Sequence, residues 1–178
     1  MTKSRNTWHI PHCTEFDLDR AKECAEILCG THDFVAFRGA FRGSERGKVQ
    51  DTVCTLFEVS INEITRNSDS SALCKTFCVD ITGDRFLYKQ VRLLVGTIVQ
   101  YARSEHIDKS DISKILDNRE WHGRSDHSMD DQNKAPFPKF CAPPQGLSLK
   151  SVEFGDEWSF DWIVQKPERV ETILVVEG

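Results

Sequence analysis

The sequence predicts an α/β fold of the α+β type: a mainly antiparallel sheet with helices packed on one face. Three observations predict it. Residues 52–65 and 72–82 each alternate apolar and polar side chains, joined by the turn formers Arg66-Asn67-Ser68-Asp69-Ser70-Ser71, which reads as an antiparallel hairpin. Leu87, Val91, Leu94, Val95, Ile98 and Ala102 recur at helical spacing, the pattern of a long helix with one buried face. Shorter helical patterns lie near residues 17–29 and 108–118.

Taken in order, residues 1–16 form a polar lead-in containing Trp8 and Ile10. His9, His12 and Cys13 are metal-ligand types, but a fourth ligand is missing and the spacing is not that of a zinc site, so no metal is expected there. Asp17 or Asp19 starts a helix through Ala21, Cys24, Ala25, Ile27 and Leu28, stopped by Gly30. Gly30 to Arg38 then reads as a compact turn. His32 and Asp33 can form an acid–base pair; adjacent residues of these types more commonly anchor a turn through backbone bonds, the reading preferred here.

Arg38, Arg42, Arg46 and Lys48, interleaved with glycines, make a basic loop suited to a phosphate backbone or simply to water. In the hairpin, Val53, Thr55, Phe57, Val59 and Ile61 are expected on one face, as are Leu73, Lys75, Phe77, Val79 and Ile81. Gly83-Asp84 ends the second strand. In the long helix, about 100° per residue puts Arg92 on the edge of the buried stripe. Gly96 lies one turn later on the same side. A glycine inside a helix costs roughly 0.5–1 kcal/mol against alanine, so a close approach to its backbone is expected. Arg92 itself reads either as a surface arginine burying only its stem or as a functional cation beside the core.

A helix from Asp108 to Asn118 follows, with Ile112, Ile115 and Leu116 as its apolar side. Residues 119–141 are a polar loop or insertion. Ala142-Pro143-Pro144-Gln145-Gly146 leads into a strand through Leu147, Leu149, Val152 and Phe154, and the apolar run Ile173 to Val176 can add an edge strand. No repeats and no second domain are evident, so residues 1–178 are read as a single domain.

Composition sets the class. Apolar residues at 39% and charged residues at 29% describe a globular chain without extensive disorder. No apolar run approaches the roughly 20 residues of a membrane span, and the first residues lack the apolar segment of a secretory signal. The seven cysteines are odd in number and form no C-x-x-C, so buried free thiols in a reducing compartment are expected. An intracellular location follows, cytoplasm or nucleus, with an organelle left open. The net charge of −5 taken by itself argues against nucleic acid, yet residues 151–178 alone carry that excess of acids. Residues 1–150 are balanced, and a basic face remains available.

Several motifs in sequence order resemble the TruA-type tRNA pseudouridine synthases: Gly30-Thr31-His32-Asp33-Phe34 with Phe37-Arg38, the hairpin, Phe86-Leu87 leading to Val91-Arg92 and Val95-Gly96, and Ala142-Pro143-Pro144-Gln145-Gly146-Leu147. The resemblance covers most of residues 8–178 but only the C-terminal half of the family's catalytic unit. It implies isomerisation of uridine to pseudouridine in the tRNA anticodon arm, without a cofactor, by a homodimer with RNA crossing its interface. In that family an aspartate starts the chemistry, a tyrosine stacks on the base, and an arginine pairs with the aspartate. Arg92 matches that arginine, and Leu147 matches a leucine packed against the base. A guanidinium stays charged at physiological pH and holds a neighbouring carboxylate ionised. The resemblance also favours RNA contacts from Arg38, Arg42, Arg46, Lys48 and Lys89.

The departures carry weight too. The family's aspartate segment, resembling Gly-Arg-Thr-Asp before Gly-Val-His-Ala, has no counterpart before residue 30. Gly123-Arg124-Ser125-Asp126 looks similar but follows the arginine helix, so Asp126 as the nucleophile requires a rearranged chain order. Gln90 stands where methionine is usual, and Ser148 where tyrosine is usual. The expectation is therefore a synthase's C-terminal part, inactive alone and binding tRNA. The alternative is a catalytically dead RNA-binding or partner-binding module of the same fold. A third reading places an unrelated site at His32-Asp33 or in the loop bearing His122, Asp126, His127, Asp130 and Asp131, where mixed spacing argues against a metal. No metal, cofactor or membrane partner is expected.

Overall fold

A computed structural model of the chain describes residues 7–10, 16–39, 51–64, 76–117, 140–154 and 169–177. Its elements are β1 (Trp8–His9), α1 (Leu18–Leu28), β2 (Gly30–Asp33), a 3₁₀ helix (Phe34–Phe37), β3 (Val53–Ile64), β4 (Thr76–Gly83), α2 (Gln90–Arg103), α3 (Lys109–Asp117), β5 (Leu147–Glu153) and β6 (Arg169–Glu177). The strands form one sheet in the order β1-β6-β4-β3-β2, with β5 also paired to β6. Every pairing is antiparallel except the short parallel one between β1 and β6. The expected α/β class with a mainly antiparallel sheet is what the chain adopts.

The hairpin forms where the alternation placed it, but one face divides differently. Pairing runs from Leu56↔Gly83 to Glu58↔Thr82, so Phe57 is an extra residue in a bulge. An extra residue reverses the alternation of everything on its far side. Cys54 and Leu56 are therefore buried before it and Ile61 after it, while Val53 and Phe57 are exposed, Phe57 at 53%. The shared face expected for Val53, Thr55, Phe57, Val59 and Ile61 is split at this bulge. On β4 the alternation holds, with Phe77, Val79 and Ile81 all buried.

Two further differences concern the ends. Gly30 to Arg38 is not one turn but β2 followed by the 3₁₀ helix. The apolar run at 173–176 lies in β6, which has strands on both sides: β4 on one, β5 and β1 along the other. It is an inner strand, not the edge strand expected.

Helix α1 begins at the Asp17 cap, whose carboxylate accepts the amides of Asp19 and Arg20. It packs against α2, α3 and β3. Arg20 ties α1 to the end of α2. Its guanidinium donates to the carbonyls of Tyr101 (3.2 Å), Ser104 (2.8 Å) and Ile107 (2.7 Å) and lies 4.3 Å over the Tyr101 ring. Those carbonyls belong to a helix C-terminus and the turn after it, where acceptors outnumber donors. Leu28, Phe34, Phe37, Leu56, Ile81, Leu94, Ile98 and Ile112 are the fully buried centre of the core. Each contributes about 1.5–3 kcal/mol by burial. Cys24, Cys29, Cys54, Cys78 and Cys141 are free thiols. Among the described residues, no helix is long and apolar enough to cross a membrane.

Candidate functional site

The site is built at the N-terminal end of α2, and the chain is fixed there before the helix begins. The Asp84 carboxylate accepts the Thr55 amide (2.9 Å), and its own amide donates to the Thr55 carbonyl (3.0 Å). Arg85 donates to the Val53 carbonyl (2.6 Å) and pairs with Asp51 (2.5 Å). These bonds pin the segment to the start of β3. Leu87 to Gln90 then makes a tight turn closed twice: the Gln90 amide donates to the Leu87 carbonyl (3.0 Å), and the Leu87 amide donates to Gln90 Oε1 (2.6 Å). Lys89 sits inside the turn at φ +62°, the sole non-glycine with positive φ among the described residues. Gln90 is wholly buried, and the bond its Oε1 accepts from the Leu87 amide is what a polar residue supplies at a position the helical pattern would fill with an apolar one.

Two residues on, Arg92 is half-buried on the edge of the core-facing stripe, as its angular position predicts. Its Nε donates to the Ala142 carbonyl (2.5 Å), and the Ala142 amide donates back to the Arg92 carbonyl (3.0 Å). This reciprocal pair binds the segment before β5 onto α2. Gly96 is the reason the segment fits. A Cβ there would lie 1.7 Å from the Phe140 carbonyl oxygen, so the close approach expected at this glycine is made by residues 140–142. Phe140 also stacks on Trp8 at 5.4 Å.

The same segment positions Leu147. The Leu147 amide donates to the Pro144 carbonyl (3.3 Å), closing a turn in which Gly146 takes φ +90°. A positive φ at the third position of such a turn calls for glycine. Leu147 emerges as the first residue of β5, half-buried against the core. Arg92 and Leu147 are thus joined through one clamped stretch, Ala142 to Leu147.

The electrostatics follow from that clamp. With Nε fixed to Ala142, the plane of the Arg92 guanidinium is set and its Nη groups remain as donors. No carboxylate pairs with Arg92 among the described residues. Half-burial leaves the cation partly hydrated, so its charge is tolerated until an acceptor arrives.

Other expected site residues are placed less uniformly. Lys89 lies at the turn just before Arg92, with its Nζ 5.5 Å over the Tyr88 ring. Arg38 is only 5% exposed, beneath the surface rather than on an open loop, and Gly39 beside it packs against Tyr88 and Lys89. Arg42, Arg46, Lys48 and Asp126 lie outside the described residues, as do His12, Cys13 and the ligand types at 122–131. Among the described residues, no group of three or more metal-ligand side chains comes together.

His32 and Asp33 act as turn anchors. His32 Nε2 bonds the Cys29 carbonyl (2.9 Å), while Asp33 accepts the Val35 amide (3.1 Å) and the Thr52 hydroxyl (2.5 Å). Asp33 is the N-cap of the 3₁₀ helix. They are not bonded to each other, so the acid–base reading has no geometry behind it. Sequence reasoning missed Gln90 and Ala142 as the residues that hold the site. A polar side chain three residues after Leu87, in an otherwise apolar register, was the signal available for Gln90.

Comparison with known proteins gives this arrangement a family. A family model described as tRNA pseudouridine synthase matches residues 24–155, a span that contains Arg92, Ala142 and Leu147. The tRNA pseudouridine synthase A of Staphylococcus aureus (strain MRSA252) is 30% identical over 136 residues, covering 76% of this chain and 40% of the relative. That of Akkermansia muciniphila is 29% identical over 154 residues, covering 84% of this chain and 48% of the relative. The chain spans less than half the length of these curated relatives.

Proposed function

The chain belongs to the tRNA pseudouridine synthase family, and we propose that it carries the arginine-bearing half of a site that isomerises uridine in the tRNA anticodon arm. The observation that carries this reading is the condition of Arg92. Its Nε is committed to Ala142, and its Nη groups face no carboxylate among the described residues.

A guanidinium oriented in this way is suited to receive a carboxylate through parallel N–H···O bonds and to keep it ionised. An ionised carboxylate is what the opening step of the isomerisation requires. Leu147, carried on the same clamped segment, packs against the face of the uracil and keeps water from it. The target uridine leaves its stack to reach this site, as nucleotides do in other base-modifying enzymes. Lys89, Arg42, Arg46 and Lys48 contribute positive charge toward the RNA backbone, whereas the buried Arg38 is not among these contacts.

On this reading the nucleophilic carboxylate and the base-stacking aromatic come from polypeptide other than this chain, which is therefore inactive alone. The working protein is an intracellular homodimer that uses no cofactor, with RNA crossing between subunits. The experiment is a uridine-isomerisation assay on an anticodon stem–loop RNA. This chain is compared with the product of an extended reading frame that encodes an Arg-Thr-Asp-type segment upstream. Turnover by the extended product alone supports the reading. Turnover by this chain alone contradicts it and makes Asp126 the first residue to substitute.

A further inference from the structure

The turn that opens α2 presents an aromatic side chain that the uridine chemistry does not use. Tyr88 is 41% exposed, although it belongs to a segment whose other members are half-buried or buried. Its backbone is held: the Gly39 amide donates to the Tyr88 carbonyl at 2.7 Å. Its ring is backed by Gly39, where an added Cβ would lie 2.7 Å from Tyr88 Cδ1 and 3.2 Å from Lys89 Cδ. The ammonium of Lys89 lies 5.5 Å over the ring. Lys89 adopts φ +62°, a conformation a lysine holds at a cost and only when its surroundings fix it. Here Gln90 fixes it, by closing the turn through Leu87 on both sides.

Leu87 and Gln90 turn this segment's other side into the core, which leaves the Tyr88 ring at one corner of the strained turn and the Lys89 cation at the other on the surface. This arrangement suits a single-stranded nucleotide, whose base offers a π-face and whose phosphate offers a charge. We propose that Tyr88 is a stacking platform for a base neighbouring the target uridine, and that Lys89 pairs with the adjoining phosphate. This rests on the synthase reading above. It is distinct from the aromatic that stacks on the target base, because it names a contact to a flanking nucleotide. The incoming base takes the ring face that the Lys89 ammonium covers, and the flexible lysine moves onto the phosphate. Gln90 is then a positioning residue: it holds the turn and touches no RNA.

The test uses this chain with a fluorescent anticodon stem–loop RNA, and with versions of that RNA carrying 2-aminopurine at successive loop positions. Wild type is expected to bind and to quench 2-aminopurine at one position. Tyr88→Ala is expected to weaken binding about five-fold or more and to lose that quenching, whereas Tyr88→Phe keeps both. Lys89→Met is expected to lower the salt dependence of binding by about one phosphate contact. Unchanged binding and quenching in Tyr88→Ala, or equal loss in Tyr88→Phe, overturns the platform and leaves the synthase reading standing. Failure of the wild type to bind any stem–loop overturns the platform, while the synthase reading is decided separately by turnover of the extended product. Unchanged thermal melting of each variant establishes that the fold is intact, as the exposure of Tyr88 leads one to expect.

Discussion

Arg92 and Ala142 are bonded to each other twice, amide to carbonyl in one direction and guanidinium to carbonyl in the other. One side chain therefore does two things. It holds residues 140–147 on α2, and it fixes its own guanidinium plane by doing so. Substituting it removes a charge and loosens the segment that carries Leu147.

The glycine beneath that segment gives the first prediction. Gly96→Ala places a methyl group 1.7 Å from the Phe140 carbonyl oxygen, a contact that only movement of the backbone relieves. Overpacking of this kind costs about 1–3 kcal/mol or more. A lowered urea midpoint with unchanged m is expected, together with faster hydrogen exchange at the Ala142 amide.

Arg20 gives a second. Its guanidinium satisfies carbonyls of Tyr101, Ser104 and Ile107 and covers the Tyr101 ring. Bonds from a charged donor contribute about 1.5–3 kcal/mol each, but water replaces some of them at this half-buried site. Arg20→Met is expected to destabilise the fold by about 2–3 kcal/mol in chemical denaturation.

Acid stability supplies a third. The Lys109 ammonium, bonded to Glu23 at 2.6 Å, and then the Tyr101 hydroxyl hold the Glu23 carboxyl below its ordinary value of 4.5. A depressed carboxyl adds stability above its unfolded pKa and loses it as pH falls through the folded one. The expected result is a stability decline below about pH 4.5 that becomes shallower in Lys109→Met. Urea titrations across that range measure it.

The thiols give a fourth. Burial pushes Cys24 up to about 12 and Cys54 up to about 11. Both are buried, so neither offers a thiolate at neutral pH. Mass spectrometry after native labelling with a thiol reagent is expected to find these two modified last, and at the rate of unfolding.

Much of this was legible from residue spacing. The α2 stripe located Arg92 at its edge, and a helix-interior glycine on the same side announced the approach of another segment. The hairpin followed from alternation and turn formers. The bulge at Phe57 was not legible, because alternation shows that a strand exists but not where an extra residue interrupts it. Arg38 read as a loop cation, because local sequence shows a run of cations and glycines but not that the backbone beside it meets a turn some fifty residues away. The left-handed Lys89 gave no warning either. Lysine has no preference for that conformation, and the Gln90–Leu87 closure that imposes it joins a glutamine side chain to a backbone amide, a bond the residue types alone do not announce.

The most direct measurement is isomerisation by the extended product carrying Arg92→Ala or Arg92→Lys, each checked for native melting. The account predicts that Arg92→Ala lowers turnover about 100-fold or more, the scale set by loss of a preorganised charge partner. It predicts that Arg92→Lys recovers little, because a lysine cannot bond Ala142 and a carboxylate in one plane. Near-normal turnover by a folded Arg92→Ala protein would contradict it, and the clamp between Arg92 and Ala142 would then be structural alone.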